Sequence, residues 1–532
     1  MNMKRLDVAI TTLIFLTLSV TCAAKDYYVS PRGDDANPGT MDKPWKTIEK
    51  LNSTTFGPDD RILFEGGQTF KGTLVLDAAD SGAPGRKLTV TSYAGRAVID
   101  GGTGRAISID GCNHFVIRDL ELKGAGRKSA STESGLFAQS ARDIEVDDVE
   151  VWGFRKNGIH MNGVADVRIT RVHAHDNGKE GIGIMGPARS RNIYIAHCLA
   201  ENNAGDPSFT RTHSGSGIFV GYTDGAVIEY CEARFNGWDM GWRGGNGPVG
   251  IWTWQSDRVI MQFNISHHNR STTGDGGGFD LDGGVTNSII QYNYSHNNFG
   301  PGFLICQVGR NKFSGNIVRY NISQDDGLKT DKREGRTIRH VAAIRVWIGS
   351  ENMIDTLVHN NTIFNSQGAA VDFGGTERGV SGKLPTITFY NNIFATGGPQ
   401  IEYHDAARPL DSVGRFVGNL YFGLGGRGFQ VGKYTDLNAW AAATGQEKVG
   451  DKVVGVVGDP LFRGGGVGLL MDPRKLATLL EYQVLQGSPA ISKGLNLKKL
   501  FNIDPGTRDY YGNPLPADGS LDIGAHQFTS AR

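Results

Sequence analysis

The amino-acid sequence predicts an all-β solenoid, in which short strands coil repeatedly around one continuous core. One observation is a Gly-apolar-x-apolar-x segment, with Ala first in its last two copies, that begins at residues 158, 181, 217, 250, 278, 302, 343 and 370. Another is an Asn that recurs roughly every 30 residues, at Asn264, Asn293, Asn321, Asn361 and Asn392. Short apolar strands, Gly-rich turns and no helical period are typical of solenoids, whose coils bury one another.

Residues 1–24 are predicted to be an export signal. Two basic residues precede an apolar run from Val8 to Val20, and the small residues that follow suit signal cleavage. The run is too short to span a bilayer comfortably. We therefore expect a cleaved signal and a secreted or periplasmic protein. A lipid anchor on Cys22 is the alternative, but Thr21 fits a lipoprotein signal poorly.

The composition of the chain argues against several classes of partner. Its 532 residues carry 55 basic and 55 acidic side chains, so net charge gives no reason to expect binding to nucleic acid or to a membrane surface. The 75 Gly residues suit a chain that turns several times in every coil. After the export signal no stretch approaches a membrane span, and we expect a single capped solenoid that is a monomer.

Residues 25–98 are interpreted as an N-terminal cap and the first coils. A solenoid needs a cover on its terminal coil, because an open coil exposes apolar surface and unpaired strand edges. The segment Pro44–Leu51 predicts a short amphipathic helix with Trp45, Ile48 and Leu51 on one side. Such a helix would provide the cover.

Residues 425–532, where the repeat decays, are interpreted as a C-terminal cap. The segment Thr435–Ala443 predicts a helix with Asp436 as its N-cap, and Pro473–Leu480 predicts a second helix. A last short strand is expected near Ile523.

Residues 99–424 are predicted to form the main run of coils. The second and fourth positions of the repeat are apolar, and successive side chains of a strand point to opposite faces, so a buried column should stand beside an exposed one. The exposed column is expected to present, in order, Phe219, Trp252, Trp254, Asp280, Asp282, Leu304, Cys306, Arg345, Trp347 and Asp372. Aromatic faces suit sugar rings, and carboxylates or Arg suit polar sugar groups, so this strip predicts a groove for a glycan chain.

Three insertions are expected to border this strip. Residues 204–214 and 237–249 lengthen two coils, and the second of them carries Trp242, a candidate for contact with the substrate. The third insertion is Asp325–Arg339. Insertions on one face of a solenoid tend to build its binding surface.

The segment GDGGGFDLDGG holds the candidate catalytic residues Asp280 and Asp282. A solvated surface pair is the ordinary alternative, but two carboxylates at positions i and i+2, with Trp residues one coil below and an Arg two coils above, favour function. Asp275 is a weaker candidate because Gly-Asp-Gly is also an ordinary turn. His267 and His268 follow the recurring Asn and are interpreted as turn residues.

Four cysteines remain after removal of the signal: Cys112, Cys198, Cys231 and Cys306. Cys198 and Cys231 share one position of the repeat, so their Cα atoms should lie one strand spacing apart, about 4.8 Å. That distance is compatible with a disulfide and equally with stacked free thiols. Because the sequence has no metal-binding spacing such as C-x-x-C, we do not expect a zinc site.

Motifs at the two ends of the chain are similar to those of a known group of proteins. These motifs are YYVSPRGDDANPGTMDKPWKTI near the start and DPLF, GSPAI and DIGAHQF near the end. Together with the repeats, they resemble the secreted bacterial polysaccharide-degrading enzymes of the pectin-lyase-like class, over nearly all of the mature chain. The resemblance implies a single-stranded right-handed parallel β-helix. Hydrolases and lyases of this class share these motifs, so they predict the architecture more specifically than the reaction.

One mechanism compatible with the strip is glycoside hydrolysis with inversion. One carboxylic acid protonates the glycosidic oxygen while the other carboxylate activates water. Positions i and i+2 of a strand lie about 6.6 Å apart, within the roughly 6.5–9.5 Å of inverting glycosidases. The arrangement resembles β-helix hydrolases of the polygalacturonase and carrageenase kind, although their Asn-Thr-Asp and Gly-His-Gly signatures are missing here. No cofactor is needed, and the acid and base are not assigned.

The alternative mechanism is β-elimination on a uronic-acid glycan. In this interpretation Asp280 and Asp282 bind Ca²⁺, which prefers oxygen ligands, and Arg345 or a Lys removes the proton. This resembles the pectate lyases. Between residues 310 and 345 basic side chains outnumber acidic ones, which favours an anionic substrate, although a charge run is most often a solvated face. Asp372 and Arg345 are further catalytic candidates.

A non-catalytic glycan-binding β-helix is the third class considered. It predicts exposed aromatic residues without paired acids, whereas this sequence has both. The sequence leaves open which sugar and linkage are recognised and whether cleavage is endo or exo.

Overall fold

A computed structural model describes residues 24–309, 311–327, 342–349, 353–374, 387–403, 414–516 and 521–529, together with the backbone of the antiparallel pair Lys332–Arg333 and Arg336–Thr337. The predicted export signal, apart from Ala24, lies outside the described residues. Most of the third predicted insertion, including Lys329, lies outside them as well.

The chain forms a right-handed parallel β-helix, which confirms the predicted fold class. One of its faces is a 12-stranded parallel sheet, called sheet 1 below. Its strands are Leu74–Leu76, Ile107–Asp110, Leu136–Gln139, Ile159–Asn162, Ile182–Ile184, Ile218–Gly221, Ile251–Trp254, Phe279–Asp282, Phe303–Gln307, Ile344–Ile348, Val371–Gly374 and Ile401–Tyr403. Each strand pairs with its counterpart in the next coil, so residues at one repeat position stack along the axis.

The other faces belong to a 26-stranded sheet, called sheet 2, which consists of two parallel runs that share the long strands Phe115–Gly124 and Arg142–Trp152. The other strands of the first run are Asp26–Val29, Arg61–Glu65, Leu88–Tyr93, Ala165–Thr170, Ser190–Ala196, Thr223–Glu229, Asp257–Gln262, Ile289–Gln291, Ile317–Arg319, Thr356–His359, Ile387–Tyr390 and Arg415–Val417. Those of the second run are Thr69–Lys71, Ala97–Gly102, His173–His175, Leu199–Glu201, Glu232–Arg234, Ile265–His267, Tyr294–His296, Ile322–Gln324, Thr362–Asn365, Ile393–Thr396, Leu420–Gly423 and Val456–Val457.

The described residues also contain short pairs and helices outside these sheets. The strand Phe313–Ser314 pairs with Met353–Ile354, and Lys448–Val449 pairs with Lys452–Val453. The α-helices are α1 (Ile48–Asn52), α2 (Leu437–Thr444) and α3 (Leu497–Phe501).

The recurring Asn forms a buried ladder inside the turns of sheet 2, as the sequence predicted. Asn264 donates from both its backbone nitrogen and its Nδ2 to Oδ1 of Asn293, at 2.9 and 3.0 Å, and Asn293 binds Asn321 in the same way. The ladder runs on through Asn361, Asn392 and Asn419. Because each side chain satisfies two donors of the coil before it, the ladder pairs polar backbone groups that the turn would otherwise bury without partners.

A second ladder lies five residues further along each coil and was not predicted. It is formed by Asn177, Asn203, Asn236, Asn269, Asn298 and Asp326. The sequence contained its signal, since Asn203, Asn236, Asn269, Asn298 and Asp326 each follow, by five residues, a position at which the repeats had been aligned. The second ladder fixes the turn that leads from sheet 2 to sheet 1.

The N-terminal region begins as a coil and is partly covered by a helix. The strand Asp26–Val29 already pairs in parallel with Arg61–Glu65. Helix α1 starts later than predicted, because Thr47 caps it and the preceding residues run in extended conformation. The predicted apolar side is nevertheless correct, since Trp45, Ile48 and Leu51 are all buried.

The C-terminal region packs against the β-helix in two places, at its end and along its flank. Helix α2, capped by Asp436 as predicted, covers the last coil with the fully buried Trp440. Residues 459–516 and 521–529 instead run back along the flank of sheet 2, where the Tyr294 hydroxyl donates to the carbonyl of Gly468. The interpretation of the whole region as an end cap is therefore wrong for this part.

Two finer expectations for the C-terminal region also differ from the structure. Residues Pro473–Thr478 form a 3-10 helix instead of an α-helix. Near Ile523 only a single antiparallel bridge, between Gly494 and Leu521, is described.

The four cysteines among the described residues, Cys112, Cys198, Cys231 and Cys306, are free thiols. Cys198 and Cys231 stack inside adjacent coils, and burial, together with the neighbouring Cys198 thiol, raises the pKa of Cys231. Of the two arrangements compatible with the sequence, the stacked thiols are the observed one. None of the helices in the described part of the chain has the length and apolar character that a bilayer span needs.

Candidate active site

The predicted strip runs along the outer side of sheet 1, and its register is as expected. Trp252 lies beside Asp280, Asp280 beside Leu304, Leu304 beside Arg345 and Arg345 beside Asp372. In the other column, Trp254 lies beside Asp282. The period-2 alternation therefore placed these side chains on the correct face.

The expectation that the whole strip is exposed is wrong. Phe219 and Trp252 are buried, and their rings stack with centroids 3.8 Å apart. The first insertion contributes His213, whose ring lies 5.6 Å from that of Trp252. Val249 of the second insertion packs on the same pair. These insertions cover the lower end of the strip, so Phe219 and Trp252 form a small core and present no ring face to a sugar.

Beyond this covered part, the strip opens into a cavity of about 310 Å³. Its size is at the lower end of the range typical of small-molecule sites. The cavity combines three carboxyl groups with one guanidinium, one thiol and one indole. It is lined by Gly245, Asn246, Gly274, Asp275, Asp280, Asp282, Leu304, Cys306, Val308, Arg345 and Trp347.

Asp280 lies at the floor of the cavity and is only 3% exposed. Its Oδ1 is buried and has no hydrogen-bond partner among the described residues. Burial raises the pKa of Asp280 well above its ordinary range, and the charges of Asp282 and Asp275 raise it further. A carboxyl group in such a place keeps its proton to a higher pH than an ordinary Asp and can donate it.

Asp282 is more exposed and better supplied with donors. Its Oδ1 accepts a hydrogen bond of 2.6 Å from the backbone nitrogen of Gly283. Burial raises the pKa of Asp282, whereas the Gly283 N–H and the Cys306 thiol lower it. Hydrogen bonds to the charged form favour ionisation, so Asp282 is the more readily ionised member of the pair.

Asp275 reaches the cavity from the loop between the strands Ile265–His267 and Phe279–Asp282. Its Oδ2 accepts a hydrogen bond of 2.6 Å from the backbone nitrogen of Gly247, which belongs to the second insertion. The loop and the insertion thus meet above the floor. The ordinary-turn interpretation of Asp275 does not account for this position.

Arg345 and Asp372 form a buried pair at the upper end of the cavity. Nε of Arg345 lies 3.6 Å from Oδ1 of Asp372. Asp372 is fully buried, and its Oδ2 accepts a hydrogen bond of 3.4 Å from the backbone nitrogen of Ala342. The guanidinium carbon of Arg345 lies 5.2 Å from the centroid of the Trp347 ring. Trp347 is 37% exposed, so it is the large aromatic face that the cavity offers to a ligand.

Two other predicted aromatic contacts lie outside the cavity wall. Trp254 is half-buried and packs edge-on against Tyr222, with ring centroids 5.1 Å apart. Trp242 donates from Nε1 to Oδ1 of Asn246 at 2.8 Å. Trp242 therefore supports a residue of the wall without lining the cavity itself.

Several lining residues were not assigned a role from sequence. Asn246 and Val308 come from loops, whose course the repeat does not reveal. Cys306 occupies the fifth position of its repeat, in register with Trp347. The repeat position of Cys306 places it in the same column as Asp282, one coil further along, and this was the feature of the sequence that could have predicted its hydrogen bond to Asp282.

His267 and His268 lie on sheet 2, away from this cavity. His268 adopts a left-handed turn conformation with φ of 54°, in agreement with its interpretation as a turn residue. His267 instead ends a strand and is fully buried, and its Nε2 lies 2.9 Å from Oε1 of Glu232.

The fit of a metal ion to the Asp pair can be judged from the donor atoms. Carboxylates suit Ca²⁺, which usually takes six to eight oxygen ligands. Among the described residues, two clusters each bring three His, Cys, Asp or Glu ligand atoms within 4.8 Å of one another, and both clusters lie on sheet 2. Asp280 and Asp282 thus belong to neither of the compact clusters of His, Cys, Asp or Glu ligand atoms in the described residues.

The sequence was compared with models of known protein families. Residues 27–325 match the model described as the Pel9A-like right-handed β-helix region. The chain belongs to this family. The Pel9A-like match covers the coils up to the strand Ile322–Gln324 and includes both Asp280 and Asp282, so the cavity floor lies within the family's own region.

Relatives of this Pel9A-like chain include enzymes that act on polysaccharides. Pectate lyase L of Paenibacillus polymyxa (strain SC2) is 26% identical over 361 residues, which are 60% of this chain and 71% of that protein. Among solved structures, a GH136 lacto-N-biosidase from Eubacterium ramulus has a TM-score of 0.50 at 18% identity, with 71% of this chain and 68% of that chain covered. Pectate lyase Pel9A has a TM-score of 0.46 at 14% identity, with 96% and 97% covered. The protein is thus an enzyme of a carbohydrate-active superfamily.

Proposed function

We propose that the protein is a glycoside hydrolase that cleaves a polysaccharide or oligosaccharide. The observation that carries this proposal is the buried Asp280 carboxyl, whose pKa is raised well above its ordinary range, in one cavity with Asp282. Glycosidases need a carboxylic acid that keeps its proton beside a carboxylate that has lost it.

The two carboxyl groups are assigned different roles. Asp280 is the general acid that protonates the leaving glycosidic oxygen, because its environment disfavours the charged form more strongly. Asp282 is the general base that activates water, because the Gly283 N–H and the Cys306 thiol stabilise its charge. Positions i and i+2 lie about 6.6 Å apart along a strand. This spacing supports inversion of the anomeric configuration.

The rest of the cavity supports sugar binding. The exposed ring face of Trp347 suits the apolar face of a pyranose, and Arg345 offers donors for hydroxyl or carboxylate groups. Asp372 neutralises part of the Arg345 charge and fixes its position. Residues 1–24 support export, so the proposed location is secreted or periplasmic, where glycans are accessible.

A second candidate is a polysaccharide lyase, which is favoured by the name of the curated relative, pectate lyase L. Elimination needs a base beside the carbon that loses its proton. Among the described lining residues Arg345 is the cation, and it is paired with Asp372. Neither compact cluster of His, Cys, Asp or Glu ligand atoms in the described residues includes Asp280 or Asp282. These features make the lyase the weaker of the two candidates.

The experiment is a panel of neutral and uronic-acid glycans, each incubated with calcium and with chelator. New reducing ends without the ultraviolet absorbance of unsaturated uronates, and no effect of chelator, are expected for the hydrolase. Asp280→Asn and Asp282→Asn should each lower the rate by about 10²–10⁴-fold. The control is Asp110→Asn, an exposed Asp on the same sheet. Calcium-dependent absorbance would contradict the proposal and favour the lyase.

The stereochemistry of the product tests the assignment of roles. Proton NMR of the first product should show the anomeric configuration opposite to that of the substrate. Retention would contradict the inverting role of Asp282 even if hydrolysis itself were observed.

A further inference from the structure

A second polar cluster lies on sheet 2, three coils before the coil of Asp280. His173 and His175 stand on the same face of the strand His173–His175, with ring centroids 4.3 Å apart. Glu150 belongs to the neighbouring strand and is in register with His173. One ligand atom from each of these three residues lies within 4.8 Å of the other two.

Both ring nitrogens of His175 face carboxylate oxygens. Its Nδ1 lies 2.7 Å from Oδ2 of Asp176, and its Nε2 lies 3.1 Å from Oε1 of Glu150. A neutral imidazole has one N–H, and ionised carboxylates only accept hydrogen bonds. When Nδ1 donates to Asp176, a lone pair on Nε2 faces a carboxylate oxygen, and a metal ion bound by both atoms would make that contact favourable.

His173 has a similar carboxylate partner behind it. Its Nε2 lies 2.9 Å from Oε1 of Glu201, and Glu201 is held in turn by Nε of Arg234 at 2.7 Å. A carboxylate on the second nitrogen of a metal-binding His fixes the tautomer and the ring orientation, and such partners are a regular feature of metal sites. Here both histidines have one.

Charge and access around the cluster also suit a cation. Glu150, Glu201 and Asp176 carry three negative charges, while Arg96 and Arg234 pair with the outer oxygens of the two Glu residues. The side chains of His173, Glu150 and His175 are 37%, 31% and 17% exposed, so an ion can enter from solvent.

We propose that Glu150, His173 and His175 form a binding site for a divalent transition-metal ion of the zinc class. Two imidazoles and one carboxylate are donors that Zn²⁺ accepts, whereas Ca²⁺ and Mg²⁺ prefer oxygen alone. Two ligands about 2.1 Å from a tetrahedral ion lie roughly 3.4 Å apart, close to the 3.1 Å between Nε2 of His175 and Oε1 of Glu150. Solvent supplies the fourth ligand.

The site joins two adjacent coils and lies apart from the candidate active site. Glu150 belongs to the strand Arg142–Trp152 and the histidines to the next coil of sheet 2. A bound ion would therefore add a cross-link to the core without touching sheet 1. Its role would be to stabilise the coil stack, and activity of the metal-free enzyme should persist.

The other histidine cluster of the described residues is less suitable. His267 and His268 place their Nδ1 atoms 2.8 Å apart, which one N–H shared between them explains without an ion. His296 stacks on His267 and is fully buried. This cluster supplies the internal comparison for the experiment.

The test uses the full mature chain without a polyhistidine tag, stripped with chelator and titrated with Zn²⁺ by calorimetry and with Co²⁺ by visible absorption. One equivalent should bind. His175→Asn and Glu150→Gln should each weaken binding at least tenfold, and Asp176→Asn about 10–100-fold. The exposed His197→Asn and the comparison variant His268→Asn should bind like the wild type.

Each outcome decides the proposal. Weak cobalt absorption with the wild-type protein, or zinc binding that survives His173→Asn combined with His175→Asn, would overturn it. So would loss of binding in His268→Asn, because the ion would then occupy the other cluster. The melting temperature of the wild type should rise with Zn²⁺, and that of His175→Asn should not.

Discussion

At the scale of single residues, the most unusual side chain is the carboxyl of Asp280. It combines near-complete burial with an oxygen that lacks a partner among the described residues. Such an environment disfavours the charged form of a carboxyl group, because a charge there would lose its hydration without compensation. The residue should therefore make stability depend on pH.

Replacement of Asp280 by Asn tests this dependence. The pKa of Asp280 is raised in the folded state from its ordinary value of 3.8. A raised pKa contributes stability below the ordinary value, and this contribution is lost as pH rises through the folded pKa. Asn does not titrate, so Asp280→Asn should gain stability relative to the wild type as pH rises above about 4.

The measurement is the difference in melting temperature between Asp280→Asn and wild type across a pH series. The exposed Asp110→Asn serves as the control, and its difference from wild type should stay small throughout. A constant difference for Asp280→Asn from acid to alkaline pH would contradict the buried neutral carboxyl.

Two tryptophans of the strip should respond differently to truncation. Trp252 is buried against Phe219, so Trp252→Ala should cost about 3–5 kcal/mol of unfolding free energy. Trp347 is partly exposed in the cavity, so Trp347→Ala should raise KM with little change in stability. Denaturant unfolding and steady-state kinetics of both variants separate the roles. Equal stability losses would refute the assignment of Trp347 to the substrate.

The sequence predicted which face these residues share but did not predict their exposure. Alternation along a strand fixes the face, and this placed Asp280, Arg345 and Trp347 correctly on the outer side of sheet 1. Exposure depends on the path of the insertions, which no repeat encodes. The same limit explains why Asp275 was undervalued, because a loop brings it to the cavity.

At the scale of elements, the two ladders in the turns of sheet 2 determine how coils stack. The first was predictable because the same amide recurs in alignable segments. The second ends in Asp326, whose Oδ1 accepts from both nitrogens of Asn298. A carboxyl thus occupies a rung that is an Asn in the preceding coils.

Asp326→Asn should stabilise the protein at neutral and alkaline pH. Burial raises the pKa of Asp326 from 3.8 to about 7. The wild type therefore loses stability as pH rises from about 4 through 7, and an Asn at this rung does not. The full difference is on the order of 4 kcal/mol.

Unfolding in denaturant between pH 4 and pH 8 measures this effect. The advantage of the variant should grow through the interval and level off above pH 7. An advantage that is equally large at pH 4, or a loss at pH 8, would show that the charge is stabilised in place and that the ladder depends on it.

At the scale of the whole molecule, the C-terminal segment behaves as a flank of the β-helix. The buried Ile265, Tyr294 and Ile322 share a cluster with Leu476 and Tyr482 of this segment. The sequence revealed the solenoid but not this arrangement, because the covering residues lack the repeat and lie far from their partners along the chain. The surface of sheet 2 under this segment is apolar, so the C-terminal segment shields it from water.

A chain that ends at Gly458 should therefore be impaired although it retains every coil and helix α2. We expect low soluble yield, a lower melting temperature and increased binding of the dye ANS, because the cluster loses its cover. The control chain lacks residues 530–532 only and should behave as the wild type. A soluble, equally stable product ending at Gly458 would show that the flank is dispensable.

The first ladder also explains how such a molecule can diversify. Successive Asn residues of this ladder are separated by between 27 and 40 residues, yet the hydrogen bonds between their side-chain amides stay close to 3 Å. The stacking of coils is thus independent of how much chain each coil contains, and longer loops cost little entropy. Evolution can therefore lengthen or exchange the segments around the cavity, and so change the glycan specificity, while the packing and the hydrogen bonds of the core stay the same.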